Sequence, residues 1–236
     1  MGIALLLLLT MAIPFPLCLF RMKKYEIPLW KMLIIYLAFS TVGLIGARFG
    51  PIWARIEAAG VRLYGLVLFD FVLLLIMSPV IRVDVYRLGD FVAPPIMAVC
   101  ASAKIHCMMN DCCKGIVMCY KGDEPIHFPS VIVEMVIWFL FVALLLVVDR
   151  KKQKDGFMWP ALMIWFGIIR FAVDFLRVSI WERKPYVFSL TAGQFWSLVS
   201  VVIGVGFMVF TFRKQLKRNP TFLEAIKVGL GIIPKI

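Results

Sequence analysis

"FPSVIVEMVIWFLFVALLLVVDRKKQK", residues 128–154, sets one carboxylate inside a long apolar run and closes on four cations. A helix that crosses a bilayer needs about 20 mostly apolar residues. Phe128–Val148 supplies them. Arg150, Lys151, Lys152 and Lys154 follow, and clustered Lys and Arg mark the cytoplasmic end of a span. Glu134 sits within the run. An ionised side chain at a helix centre costs about 2.5–3.5 kcal/mol on insertion scales, so it is there for a partner or a ligand.

The rest of the chain repeats this pattern. It has 236 residues, 62% hydrophobic and 17% charged. A soluble domain is nearer half apolar and a quarter charged, and here the excess lies in long runs. The spacing predicts an all-α integral membrane protein with seven transmembrane helices: Ile3–Phe20, Trp30–Ala47, Leu63–Ile81, Phe91–Cys107, Phe128–Val148, Phe157–Leu176 and Ser189–Phe212. Basic clusters follow the first run (Arg21, Lys23, Lys24, Lys31), the fifth, and the seventh (Arg213, Lys214, Lys217, Arg218). Arg48, Arg55 and Arg62 follow the second, a weaker cluster on the opposite side. The asymmetry predicts an outside N-terminus and a cytoplasmic C-terminus. The first run is expected to be a span and not a cleavable signal, since its cations come after the apolar run and no A-x-A site follows.

One polytopic domain over residues 1–236 is expected, with a basic cytoplasmic tail at 213–236. Within the tail, Asn219–Ile236 is mildly amphipathic; it lies on the inner membrane surface or is simply solvated. The net charge of +12 is explained by its location in loops, so no nucleic-acid partner is expected. There is no internal repeat.

At a rise of 1.5 Å per residue, the polar groups inside the runs fall in one layer. Asp70, Lys104, Glu134, Arg170 and Gln194 each come out roughly 8–10 Å below the outer face. Structural ion pairs between helices would account for charges of this kind, because buried charges persist only when paired. Convergence at one depth favours a polar pocket open to a charged lipid headgroup in the outer leaflet. On the sixth run Arg170, Asp174 and Arg177 share a face at i, i+4 and i+7. Two guanidinium groups on one face suit a phosphate, with Asp174 orienting them. A transporter fits less well, since the charges do not form a path across.

"CASAKIHCMMNDCCKGIVMCY" (100–120) runs from an apolar segment into a polar loop and holds five of the six cysteines. Structural thiols or a disulfide are the plainer reading of Cys107, Cys112 and Cys113. The alternative, zinc on His106 and these cysteines, matches no ligand spacing of the usual kinds. No metal and no other cofactor is expected. Lys104 either reaches a headgroup or snorkels to the surface. His106 is a candidate base or an interfacial histidine with one hydrogen bond.

Five segments resemble, in order, those of the prolipoprotein diacylglyceryl transferases. "RFAVDFLRV" (170–178) is similar to R-F-x-x-E-F-x-R, and "HFPSVIVEMV" (127–136) to H/Y-P-[ST]-Q-L-Y-E-A. "AKIHCMMNDCCKG" (103–115) resembles G-R-I-G-C-F-x-N-G-C-C-Y-G, with Lys104, Cys107, Asn110, Cys112, Cys113 and Gly115 in register. "LYGLVL" (63–68) resembles the segment with an aromatic residue or histidine before Gly-Leu. "SLTAGQFWSL" (189–198) resembles S-x-G-Q-x-x-S-L. Departures mark a divergent member: lysine for arginine at Lys104, His106, Ala103 and Asp111 for glycines, Tyr64 for a histidine proposed as base, and Asp174 for glutamate.

The resemblance implies seven helices with the N-terminus outside and a bacterial cytoplasmic-membrane enzyme working at the outer leaflet. Its substrates would be phosphatidylglycerol and the lipobox peptide of an exported prolipoprotein. The lipobox thiol attacks the glyceryl carbon, a thioether forms and glycerol phosphate leaves. A thiol of pKa near 8.5 needs a base or cation to become a nucleophile, and cations in a low-dielectric site stabilise the departing phosphate. Arg170, Glu134, Lys104, Tyr64 and His106 would be catalytic. Lys104, Asn110, Arg170, Asp174, Arg177, Gln194 and Asp70 would hold the headgroup. Two other classes stay open: a retasked or inactive homologue that binds lipid or peptide without transfer, and a membrane thiol-redox protein using the cysteines.

Overall fold

A computed structural model describes residues 12–53, 62–109, 115–151, 155–177, 187–216 and 222–229. Its elements are α1 (Pro14–Met22), α2 (Leu29–Trp53), α3 (Arg62–Ile81), α4 (Val85–Met109), β1 (Val117–Lys121), β2 (Glu124–His127), α5 (Ser130–Lys151), α6 (Met158–Asp174), α7 (Ala192–Leu216) and α8 (Phe222–Gly229). Among these, α2, α3, α4, α5 and α7 each contain a segment long and apolar enough to cross a membrane.

Helix α4 is the hub, packing on α1, α3, α5 and α6. Leu88, Phe91, Met97, Cys100 and Ala101 on it are fully buried. Outer helices keep large apolar side chains exposed instead, such as Leu37, Ile76, Leu140 and Val202. That pattern suits helices whose outer faces meet lipid, where no core is needed to hide them. Small residues set the closest approaches, as expected where helices pack in lipid. A β-carbon on Gly167 of α6 would lie 2.5 Å from the Ser197 carbonyl oxygen of α7.

The far end of the bundle is tied by a buried polar cluster. Arg21 of α1 donates to the main-chain oxygens of Asp90 and Phe91, each at 2.9 Å, and pairs with Asp149 of α5 at 3.2 Å. Tyr25 donates to the other Asp149 oxygen at 2.6 Å, and Lys24 pairs with that carboxylate at 3.0 Å. Burial, above all, pushes the Tyr25 phenol up, so it stays a donor. Asp90 of α4 accepts from Gly156 N at 2.8 Å and Met158 N at 2.7 Å, which fixes the entry to α6. Gly156 holds φ +102°, a conformation that disfavours any side chain.

Several boundaries differ from the expected ones. The fourth helix begins at Val85 and not Phe91, because Asp84 caps it by accepting from Tyr86 N at 2.8 Å. The seventh begins at Ala192 and not Ser189; Phe188 and Ser189 have positive φ, and Thr191 Oγ1 accepts from Gln194 N at 3.1 Å. The sixth ends at Asp174, so Arg177 lies beyond the helix and not on its face. The stretch expected as a polar loop after the fourth run forms the antiparallel hairpin β1–β2, so the described chain is not purely helical. The earlier part of the first run lies outside the described residues.

Candidate active site

Three helices bring three charges to one point. Lys104 comes from the last turns of α4, Glu134 from the second turn of α5 and Arg170 from the last turns of α6. Lys104 Nζ lies 2.6 Å from Glu134 Oε2, and Arg170 donates to Glu134 Oε1 at 2.9 Å. All three side chains are at most 2% exposed. Snorkelling of Lys104 is thereby replaced by a buried pairing. The antiparallel run of α5 against α4 and α6 explains why residues so far apart in sequence share a depth.

Aromatic rings wall the cluster. Lys104 Nζ stands 5.1 Å from the Trp138 ring centre, and the Arg170 guanidinium carbon 5.8 Å from that of Tyr64. Both contacts fall in the range where a ring face attracts a cation. Tyr64 is buried, meets Phe166 edge-on at 5.1 Å and hydrogen-bonds Ser197 through its hydroxyl. Ser197 in turn donates to the Gly193 carbonyl at 2.7 Å, so Tyr64 is the donor to Ser197.

The loops beside the cluster are held by the main chain. Ile116 N donates to Leu176 O at 3.0 Å, and Gly115 bridges to Arg177. A β-carbon on Gly115 would overlap the Phe128 carbonyl, so only glycine lets the segments flanking the hairpin approach here. His127 Nδ1 and the Gly115 carbonyl are 2.8 Å apart. Arg177 is thus buried next to the cluster although it has left the helix. Asp174 Oδ2 accepts from the Thr191 hydroxyl at 2.5 Å, and Thr191 N donates to Gln194 Oε1 at 3.1 Å. Asp174, Thr191 and Gln194 therefore form one junction between α6 and α7.

Asp70 is not part of this assembly. It is buried on α3 and faces a pocket walled by α1, α2, α3 and α4. The backbone of His106 belongs to α4, while Asn110, Cys112 and Cys113 lie outside the described residues. Cys18, Cys100 and Cys119 carry free thiols. Ser197 and Trp138 join the site without having been singled out. Ser197 was legible as the second serine of the S-x-G-Q-x-x-S-L pattern; an apolar tryptophan in a span carried no signal.

Chemically, Lys104, Arg170 and Arg177 stand around Glu134, all four buried, with half-buried Asp174 one turn beyond Arg170 on α6. One positive charge is in excess where a neighbouring charge is screened least. Such a place attracts an anion and can hold a planar array of oxygens through the two guanidinium groups.

The comparisons with known proteins agree with this chemistry. The family model described as prolipoprotein diacylglyceryl transferase matches residues 3–210. A phosphatidylglycerol–prolipoprotein diacylglyceryl transferase of Listeria welshimeri is 23% identical over 193 residues, 74% of this chain and 66% of that protein. One of the same name from Clostridium tetani is 30% identical over 144 residues, 56% of this chain and 57% of that protein. The matched parts thus span 66% and 57% of these relatives' length, less than two thirds in each case. With a match that covers most of the sequence and a cationic site on the helices that carry its motifs, this chain belongs to the prolipoprotein diacylglyceryl transferase family.

Proposed function

We propose that the protein transfers the diacylglyceryl group of phosphatidylglycerol to the lipobox cysteine of an exported prolipoprotein. The observation that carries this reading is the meeting of Lys104 and Arg170 on the two oxygens of Glu134. The phosphate of phosphatidylglycerol takes over the ammonium and guanidinium groups. Glu134 is then left with two oxygens that can accept the proton of the incoming thiol. The sulfur bonds to the glyceryl carbon, the carbon–oxygen bond to the phosphate breaks, and glycerol phosphate departs with the electron pair. Arg170 gains most as that charge grows. Arg177, Gln194, Asp174 and Asn110 shape the headgroup site. Tyr64 holds the Arg170 guanidinium through its ring, and His106 is the alternative proton acceptor.

The accompanying topology is one domain of seven spans in a bacterial cytoplasmic membrane. The N-terminus lies outside, the 213–236 tail inside and the site at the outer leaflet. This places Lys104, Glu134 and Arg170 where exported proteins and the lipid headgroup meet.

The test supplies purified protein with labelled phosphatidylglycerol and a lipobox peptide, and reads thioether formation by mass spectrometry. Product formation that survives alkylation of the enzyme's own cysteines excludes the thiol-redox reading, since the attacking sulfur belongs to the peptide. Absence of product with competent substrates transfers the case to a retasked homologue. Thiol labelling of a cysteine placed in the tail, from outside intact cells, would overturn the topology if the tail reacted.

A further inference from the structure

The ammonium of Lys104 has two partners of different kinds. One is charged: Glu134 Oε2, at 2.6 Å. The other is neutral: the face of the Trp138 ring, whose centre lies 5.1 Å from Nζ. Trp138 follows Glu134 by one turn of α5, so the carboxylate and the ring project from the same helix face. Lys104 is buried and Trp138 fully so, and both contacts are made away from bulk water.

The choice of tryptophan has a cost. A buried tryptophan ordinarily puts its N–H on an acceptor. Trp138 Nε1 has no hydrogen-bond partner among the described residues, a penalty that phenylalanine would not incur. Trp159, Trp165 and Trp196 bury their N–H groups in the same way, but among the described residues only Trp138 of these four carries a cation over its ring. Tryptophan offers the strongest ring face to a cation, and the attraction grows where water is excluded. The ring is also held from behind. Phe166 packs against it at 5.6 Å and meets Tyr64 edge-on at 5.1 Å. Three packed rings thus run from the Lys104 ammonium to the Arg170 guanidinium, whose carbon stands 5.8 Å from the Tyr64 ring centre.

The two partners of Lys104 respond differently to an anion. A carboxylate competes with a phosphate for the ammonium and repels it. A neutral ring attracts the cation and brings no net charge against the phosphate. We propose that Trp138 is a positioning residue for Lys104, the partner that the ammonium keeps when Glu134 is exchanged for the lipid phosphate. This rests on the exchange proposed above for phosphatidylglycerol. An ammonium needs such a holder more than a guanidinium does. It is a point charge on a flexible stem, whereas the planar fork of arginine is oriented by its own paired hydrogen bonds. Trp138 is therefore the residue that lets lysine serve where the family's pattern has arginine.

The experiment measures, by calorimetry, the binding of dioctanoylphosphatidylglycerol to the full chain in detergent, and in parallel the KM and kcat of thioether transfer. Trp138→Leu and Trp138→Phe are each made in the natural chain and in the Lys104→Arg chain, as double-mutant cycles. In the natural chain Trp138→Leu should raise Kd and KM about tenfold, the scale of a cation–ring contact shielded from water, with kcat falling less. Trp138→Phe keeps a weaker ring and should raise both about threefold. In the Lys104→Arg chain Trp138→Leu should raise them by no more than about threefold. Equal losses in the two backgrounds would overturn the proposal, because they would make Trp138 a packing residue with no hold on the ammonium. A loss confined to kcat would overturn it too. If Trp138→Leu does not fold, the Trp138→Phe cycle decides by the same comparison. Coupling seen in binding while no thioether forms would uphold the role of Trp138 and remove the transfer reading alone. Transfer without the coupling would remove only the role of Trp138, and a natural chain that does not bind the lipid would remove both.

Discussion

Two buried ionic clusters sit about 22 Å apart along α5, one around Asp149 and one around Glu134. They use the same residue types to different ends. Arg21 is held by two main-chain oxygens as well as by Asp149, and Tyr25 takes the second oxygen of that carboxylate. The partners belong to four elements, α1, the turn after it, α4 and α5, and Asp90 adds the start of α6. The main-chain oxygens that hold Arg21 cannot re-pair without moving a backbone. At Glu134, two cations meet one carboxylate through side chains, and an anion of the right shape can replace it. The lesson is that burial and charge do not distinguish a clamp from a site. What distinguishes them is whether the partners are fixed main-chain atoms or exchangeable side-chain groups.

That contrast can be broken at either cluster. The largest effect is expected at the clamp. Asp149→Ala leaves Arg21 buried without its counter-charge, which should destabilise the fold by about 3–5 kcal/mol. Thermal unfolding in detergent checks this; the fraction that remains folded should keep its KM for lipid. At the site the order reverses. Arg170→Ala should lower transfer roughly 10²–10³-fold, about 2.7–4 kcal/mol of transition-state stabilisation, while unfolding shifts less than for Asp149→Ala. A folded Arg170→Ala protein turning over at the wild-type rate would remove Arg170 from the mechanism. Arg170→Lys should not rescue it, because the planar fork of donors is lost.

Lys104 is the sharper comparison. Lys104→Ala should reduce transfer by less than Arg170→Ala, whereas Lys104→Arg should keep or raise it. Steady-state thioether assays on both variants would show which. The smallest effect is expected from Ser197→Ala. It removes the hydrogen bond that Tyr64 makes and should cost about 0.5–1.5 kcal/mol of stability with a modest loss of rate. A loss as large as that of Arg170→Ala would mean that Tyr64 is held for proton transfer and not only to wall the guanidinium.

The contrast also shows how far the sequence could be read. Charges inside apolar runs are rare and expensive, so Glu134, Lys104 and Arg170 could be picked out, and depth arithmetic put them in one layer. Arg21, Asp90 and Asp149 escaped the same reading. They lie near helix ends, where charge is cheap and ordinary, and only packing showed that they are buried. The hairpin at 117–127 was missed because two short strands pair across a turn inside a stretch that reads as polar loop.

By itself the sequence determined that the chain is helical and apolar enough for a membrane, roughly where each helix runs, and which charged residues needed explanation. Those properties follow from hydrophobic length and local cost, which are additive along the chain. Only the tertiary structure decided which charges meet. Asp70 shares the computed depth of Lys104 and Arg170, yet it turns to the α1–α4 pocket while they close on Glu134. Depth fixes one coordinate; rotation of each helix about its axis and the choice of neighbours fix the other two, and both are set by contacts between residues far apart in the chain.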